Sequence, residues 1–234
     1  MKNLFVGAIV LVAALVMTGC ENKKQQKENV QPEPATTVEV QPNRMLIIVD
    51  PQIDFTTGSL ATAKGPEAMD YLAQCVTNGV LKKYSWVAVT QDFHPANHCS
   101  FVEQGGVFPP HCVQETEGMN LHPSLQKAID ENIGNTDIIY LHKGDLADKE
   151  EFSVFQNELS GAKLRETIED RKFEGIDVCG IATDYCVYET VKDLMAFYPA
   201  NQIRVVTNCV AAVDDNDTKL ADLMKENGIE EVTF

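Results

Sequence analysis

The sequence predicts a doubly wound α/β fold: a mainly parallel, six-stranded sheet with helices on both faces. Three observations predict it. Six short runs rich in Val, Ile and Leu recur along residues 44–234. Amphipathic stretches of helical length alternate with them. Most of the runs are apolar nearly throughout rather than every second residue, the mark of strands covered on both faces. Right-handed β-α-β crossovers then give a layered sandwich.

The elements follow in order. RMLIIVD (44–50) reads as a strand. PEAMDYLAQCVTNGVLKKY (66–84) reads as a helix with Pro66 in its first turn, where proline loses no hydrogen bond. SWVAVTQD (85–92) is a strand, followed by a long loop over 93–120. HPSLQKAIDENIG (122–134) is a helix closed by Gly134. TDIIYLHK (136–143) is a strand, and AKLRETIEDRK (162–172) a helix. IDVCGIA (176–182) and DYCVYETVKDLMAF (184–197) form the next strand and helix. QIRVVTN (202–208), DNDTKLADLMKENG (215–228) and IEEVTF (229–234) supply strand, helix and last strand.

The first 43 residues fall outside this pattern. MKNLFVGAIVLVAALVMTGC has a lysine at position 2, an apolar run over 4–17, then Thr18-Gly19-Cys20. The run is short for a membrane span and has the length of a signal-peptide core. It resembles a bacterial lipoprotein signal, which implies lipid on Cys20 and an exported, membrane-anchored protein. Residues 21–43 are polar, contain proline and lack periodicity, so they read as a flexible tether. The chain thus divides into leader (1–20), linker (21–43) and one domain (44–234).

The formal net charge is −16, and all of it belongs to the domain, because the lysines and glutamates of leader and linker cancel. Such acidity argues for solubility and against nucleic acid as a partner. Seven cysteines are present. With Cys20 and Cys186 set apart, five remain, an odd number matching no disulfide framework, so mostly free thiols are expected.

Ligands of doubly wound sheets bind beyond the carboxyl ends of the strands. Reactive residues stand at four such ends: Asp50, Asp92, Lys143 and, just after the fourth, Cys186. Cys186 lies at the start of a helix, whose N–H groups and dipole favour a thiolate nucleophile and offer an oxyanion site. Asp50 ends a very apolar strand, where desolvation raises a carboxyl toward the range of a general base. Lys143 supplies a cation for both. Asp92, His94, His98 and His111 fall within one loop. A carboxylate with imidazoles suits one divalent ion, Zn²⁺ first, Fe²⁺ or Mn²⁺ otherwise. A structural zinc on His98, Cys99, His111 and Cys112 is the competing reading.

Together DPQIDF-x-x-GSL, DFHPANH-x-SF, FPPHCVQETEG, HKG, FSVF and GIATDYCV-x-x-T resemble the nicotinamidases and pyrazinamidases among the isochorismatase-like cysteine hydrolases. The resemblance runs from about Arg44 to the end of the chain. It implies metal-dependent conversion of nicotinamide to nicotinate and ammonia, in NAD salvage, through a thioester. Asp50, Lys143 and Cys186 match its catalytic triad, and the N–H groups of Ala182 and Cys186 its oxyanion hole, beside a cis peptide between Ile181 and Ala182. Asp92, His94 and His111 match metal ligands, with His98 a fourth ligand or a neighbour. Phe55 and Tyr185 match ring-pocket positions. Phe108 and Phe152 stand where the family usually has Trp and Tyr, so pocket shape is expected to change more than reaction class. The sequence does not set the oligomeric state and leaves a homo-oligomer open. Two other readings stay open: an amidase for another small amide, and a surface metal-binding protein without turnover.

Overall fold

The structure, a computed structural model, describes residues 43–234. The expected leader, its Cys20 and all but the last residue of the linker lie outside the described residues. Asn43, assigned to the linker, already belongs to the domain: its amide donates to Arg171 O at 3.0 Å.

Six parallel strands form one sheet in the order β3-β2-β1-β4-β5-β6. They are β1 (Arg44–Val49), β2 (Trp86–Asp92), β3 (Asp137–Lys143), β4 (Gly175–Ile181), β5 (Ile203–Ala211) and β6 (Glu230–Val232). The helices are α1 (Ile53–Thr56), α2 (Gly65–Thr77), α3 (Pro123–Asn132), α4 (Glu158–Arg171), α5 (Cys186–Met195) and α6 (Lys219–Asn227). Strand β1 shows why the sheet is covered on both sides. Leu46 and Ile48 enter the core shared with α2 and α3. Met45, Ile47 and Val49 enter the core shared with α4, α5 and α6. The side-chain period of two sends successive residues to opposite faces, so a strand between two helical layers must be apolar throughout.

Element boundaries differ from expectation where local chemistry overrides periodicity. The helix expected over 66–84 stops at Thr77, because Gly79 takes a left-handed φ of 88° and a short 3-10 turn follows; glycine meets that conformation without steric cost. Helix α4 begins four residues early at Glu158, since the Asn157 side chain accepts from Leu159 N and Ser160 N and caps it. Strand β5 runs on to Ala211, past a register shift against β4. Strand β6 is confined to Glu230–Val232. Helix α1 is a single turn, too short to show a period.

Among the described residues all six cysteines are free thiols, four of them buried.

Candidate active site

The strand order reverses between β1 and β4: from β1 the chain winds outward to β2 and β3, then returns to β4 and winds the other way. A crevice opens beyond the carboxyl ends of the strands at such a switch point. Asp50 follows β1 and Cys186 opens α5 after β4, so the two flank it. Gly180 permits the close approach. Its φ is +117°, and a Cβ there would lie 2.0 Å from Val49 O. The peptide between Ile181 and Ala182 is cis. Asp50 itself holds a left-handed φ of 45°, a conformation aspartate tolerates better than most residues. Its N–H donates to Thr90 O at 3.1 Å.

Lys143, at the end of β3, is the hub. Its side chain is fully buried. Nζ lies 2.9 Å from Asp50 Oδ2, donates to Asp92 Oδ1, reaches Glu151 O at 3.1 Å and Cys186 Sγ at 3.5 Å. The Cys186 sulfur and carboxylate oxygens of Asp50 and Asp92 lie within 4.8 Å of one another. The three sequence-predicted strand-end residues and the cysteine therefore do meet. Burial would push Lys143 down, but the carboxylates of Asp50 and Asp92 hold it well above the usual lysine range. Burial raises Asp50, against the opposing pull of Lys143. Burial also works against ionised Asp92, but Lys143 and His94 outweigh it and keep that carboxyl far below the ordinary range.

The thiol departs from the sequence expectation. Burial pushes Cys186 well above the ordinary cysteine range, only partly opposed by Lys143 and reinforced by Asp50. Desolvation and the nearby Asp50 and Asp92 carboxylates thus work against the thiolate that a helix start favours.

Asp92, His94 and His111 form a second cluster, with donor atoms within 4.8 Å of one another. His94 Nε2 is 3.5 Å and His111 Nε2 4.0 Å from Asp92 Oδ2. His94 Nδ1 donates to Gly144 O at 2.8 Å and His111 Nδ1 to Pro109 O at 2.8 Å. Both rings thus point Nε2 inward, and buried His94 Nε2 has no hydrogen-bond partner among the described residues. An orphaned inward nitrogen, a second imidazole that burial keeps neutral and an ionised carboxylate fit a divalent ion. His98 is arranged differently. Its Nδ1 pairs with Ser100 Oγ at 2.7 Å and its Nε2 with Lys149 O at 3.0 Å, while its ring stacks on His94. It groups with His94 and Glu150 rather than with Asp92 and His111. The competing zinc set of His98, Cys99, His111 and Cys112 does not converge among the described residues.

A pocket of about 380 Å³, counting its open mouth, reaches Cys186, Ala182, Asp92 and His111 from the surface. Its walls include Phe55, Phe108, Phe152 and Tyr185, with Leu60 and Val213 at the rim. Phe108 packs edge-on to Tyr185, with centroids 5.7 Å apart, and Phe152 tilts against the same ring at 5.6 Å. The Cys186 sulfur, Asp92 and His111 thus face one aromatic slot.

The isochorismatase domain family matches residues 44–233. The chain belongs to the isochorismatase family. The nicotinamidase of Escherichia coli is 35% identical over 182 residues, covering 69% of this chain and 81% of that protein. The nicotinamidase/pyrazinamidase of Mycobacterium tuberculosis is 34% identical over 187 residues, covering 76% and 91%. The pyrazinamidase of Pyrococcus horikoshii in complex with zinc superposes with a TM-score of 0.69 at 28% identity, over 82% of this chain and all of that one.

This isochorismatase-family site also uses residues the sequence reading passed over. Gln52 clamps Asp92 from both sides of its backbone: Nε2 donates to Asp92 O at 2.8 Å and Oε1 accepts from Asp92 N at 2.8 Å. Thr90 Oγ1 donates to Asp50 Oδ1 at 2.7 Å. Asp54 accepts from Cys112 N at 2.7 Å and from Ser59 N at 3.0 Å, fixing the segment that carries His111. Buried Glu151 organises the turn after Lys143. Gln52 and Asp54 lie inside the DPQIDF stretch already singled out. For Thr90 and Glu151 no sequence signal distinguishes them from neighbours.

Proposed function

We propose that this chain is a nicotinamidase, hydrolysing nicotinamide to nicotinate and ammonia. The observation that carries the reading is the aromatic slot that opens onto Cys186, Asp92 and His111, with a His94 ring nitrogen within 4.8 Å of the donor atoms of the latter two. Relatives named nicotinamidase, and an L. infantum structure in complex with nicotinate at 30% identity, support it.

In this reading Cys186 is the nucleophile and Asp50 the base. The Cys186 proton passes to Asp50 as the sulfur bonds to the carboxamide carbon, so ionisation and attack go together. That order suits a thiol whose burial keeps it protonated at rest. The oxygen gains the electron pair and is met by the N–H groups of Ala182 and Cys186; the latter, at the first position of α5, has no acceptor within its helix. Asp50 returns the proton to the leaving nitrogen, ammonia departs and a thioester remains. Water, deprotonated by Asp50, then breaks the thioester and restores the thiol. Lys143 keeps both carboxylates close without mutual repulsion. Asp92, His94 and His111 would hold one divalent ion, with zinc the first expectation. When bound, it supplies a Lewis acid able to anchor a ring nitrogen. Phe55, Phe108, Phe152 and Tyr185 sandwich the ring.

The test is ammonia release by the full chain from nicotinamide and a panel of small amides, with and without chelator. Activity on another amide but none on nicotinamide would overturn the substrate; Cys186→Ala with unchanged turnover would overturn the mechanism. The same proposal places the protein outside the cytoplasmic membrane, tethered by lipid on Cys20, where it deamidates external nicotinamide before uptake. The support is the leader's composition. Cys20→Ser should release the protein from the membrane fraction; unchanged membrane attachment sinks that part.

A further inference from the structure

Glu151 is buried, 1% exposed, and its carboxylate touches none of the groups assigned to the reaction. Its Oε2 accepts from Gly144 N at 2.8 Å and from Asn157 Nδ2 at 2.8 Å. Its Oε1 pairs with Lys149 Nζ at 2.6 Å. Its own carbonyl accepts from Lys143 Nζ at 3.1 Å. Asn157 in turn caps α4. One carboxylate therefore ties the turn after β3 to a helix start.

The Gly144 peptide is the link to the metal cluster. Its N–H is held by Glu151, and its carbonyl accepts from His94 Nδ1 at 2.8 Å. A carbonyl only accepts, so this contact puts the proton of neutral His94 on Nδ1 and leaves the Nε2 lone pair facing Asp92 and His111. The ring also presses on the peptide itself. A Cβ at Gly144 would lie 2.4 Å from His94 Cε1, at a φ of +63°. The position of Gly144 thus sets both tautomer and ring orientation, and Glu151 sets the position of Gly144.

We propose that Glu151 is a positioning residue: through the Gly144 peptide it orients His94 toward the divalent ion, while its carbonyl fixes Lys143. The inference rests on reading Asp92, His94 and His111 as metal ligands. Hydrogen-bond partners of metal-bound imidazoles typically change metal affinity or activity by about 10–100-fold when lost.

Two conservative variants of the full chain separate reach from charge. Glu151→Gln keeps the length and an acceptor oxygen for Gly144 N but loses the charge. Glu151→Asp keeps the charge but withdraws the oxygen by one methylene. Zinc affinity, measured by competition with a chromophoric chelator and without substrate, should stay at the wild-type value in Glu151→Gln and weaken about 10–100-fold in Glu151→Asp. An Asp variant binding zinc as tightly as wild type overturns the proposal, as does a Gln variant as weak as the Asp variant. Two-bond ¹H–¹⁵N spectra of the metal-free wild type at alkaline pH give an independent readout. They should show His94 protonated on Nδ1; protonation on Nε2 also overturns it. Absence of zinc binding by the wild type would sink the ligand assignment instead, and the spectra would still judge the Gly144–His94 contact.

Discussion

Replacing Lys143 by Met should unbalance the site in a pH-dependent way. Among the described residues of the metal-free protein the lysine is the one buried cation touching both Asp50 and Asp92. Met fills similar volume but leaves two buried carboxylates facing each other. Removing one partner of a buried ion pair costs about 3–5 kcal/mol. For a domain of this size that corresponds to a Tm lower by about 6–20 °C. The sign of the pH dependence follows from the shifts. Asp92 is held below its usual value by Lys143, so in wild type its contribution is present above the ordinary carboxyl range and fades as pH falls. Without Lys143, burial and the Asp92 charge hold Asp50 above its unfolded value, while at Asp92 the imidazoles of His94 and His111 still oppose burial. The penalty is then full near pH 8 and shrinks toward pH 5 as a proton neutralises Asp50. Urea unfolding of both proteins in chelator, at pH 8 and pH 5, reads this directly. Equal stability at pH 8, or a deficit that grows on acidification, would refute the charge argument.

Other outcomes follow from the same geometry. Cys186→Ala should abolish ammonia release while leaving Tm within a few degrees, checked by assay and thermal melt; loss of fold would mean the thiol is structural. Alkylation of Cys186 by iodoacetamide in the metal-free protein should be slow at pH 7 and still rising above pH 9, because burial keeps the thiol protonated; a plateau at neutral pH would contradict this. Gly180→Ala should fail to accumulate as folded protein, since its Cβ would meet the Val49 carbonyl at 2.0 Å. Leu72→Ala, in the fully buried face of α2, should cost about 2–5 kcal/mol in urea unfolding and leave KM unchanged.

The motif-bearing positions were legible because each sits at a strand end, and strand ends are marked locally. RMLIIVD passes from apolar run to carboxylate within seven residues, and IDVCGIA gives way to a helix start in the same way. The loop clustering of Asp92, His94, His98 and His111 was legible directly; resemblance singled out three of them and added the four aromatic positions, which the pocket gathers on one slot. Thr90, Gln52 and Glu151 escaped because a hydrogen bond across 40 residues, or a carboxylate aimed back at its own turn, leaves no period or spacing to read. The end of α2 was misjudged because helical periodicity continues through Asn78-Gly79, whereas a left-handed glycine stops it.

By itself the sequence determined the alternation of strands and helices, the edge of the sheet at which chemistry gathers and the residue types available there, since these depend on patterns within a few neighbours. Only the tertiary structure decided which of those groups carry charge. The helix start alone favours a Cys186 thiolate, yet the folded site buries the sulfur beside Asp50 and Asp92 and keeps its proton on. Desolvation and Coulomb forces depend on what distant segments bring within a few ångströms, and that distance is set by the packing of the whole sheet.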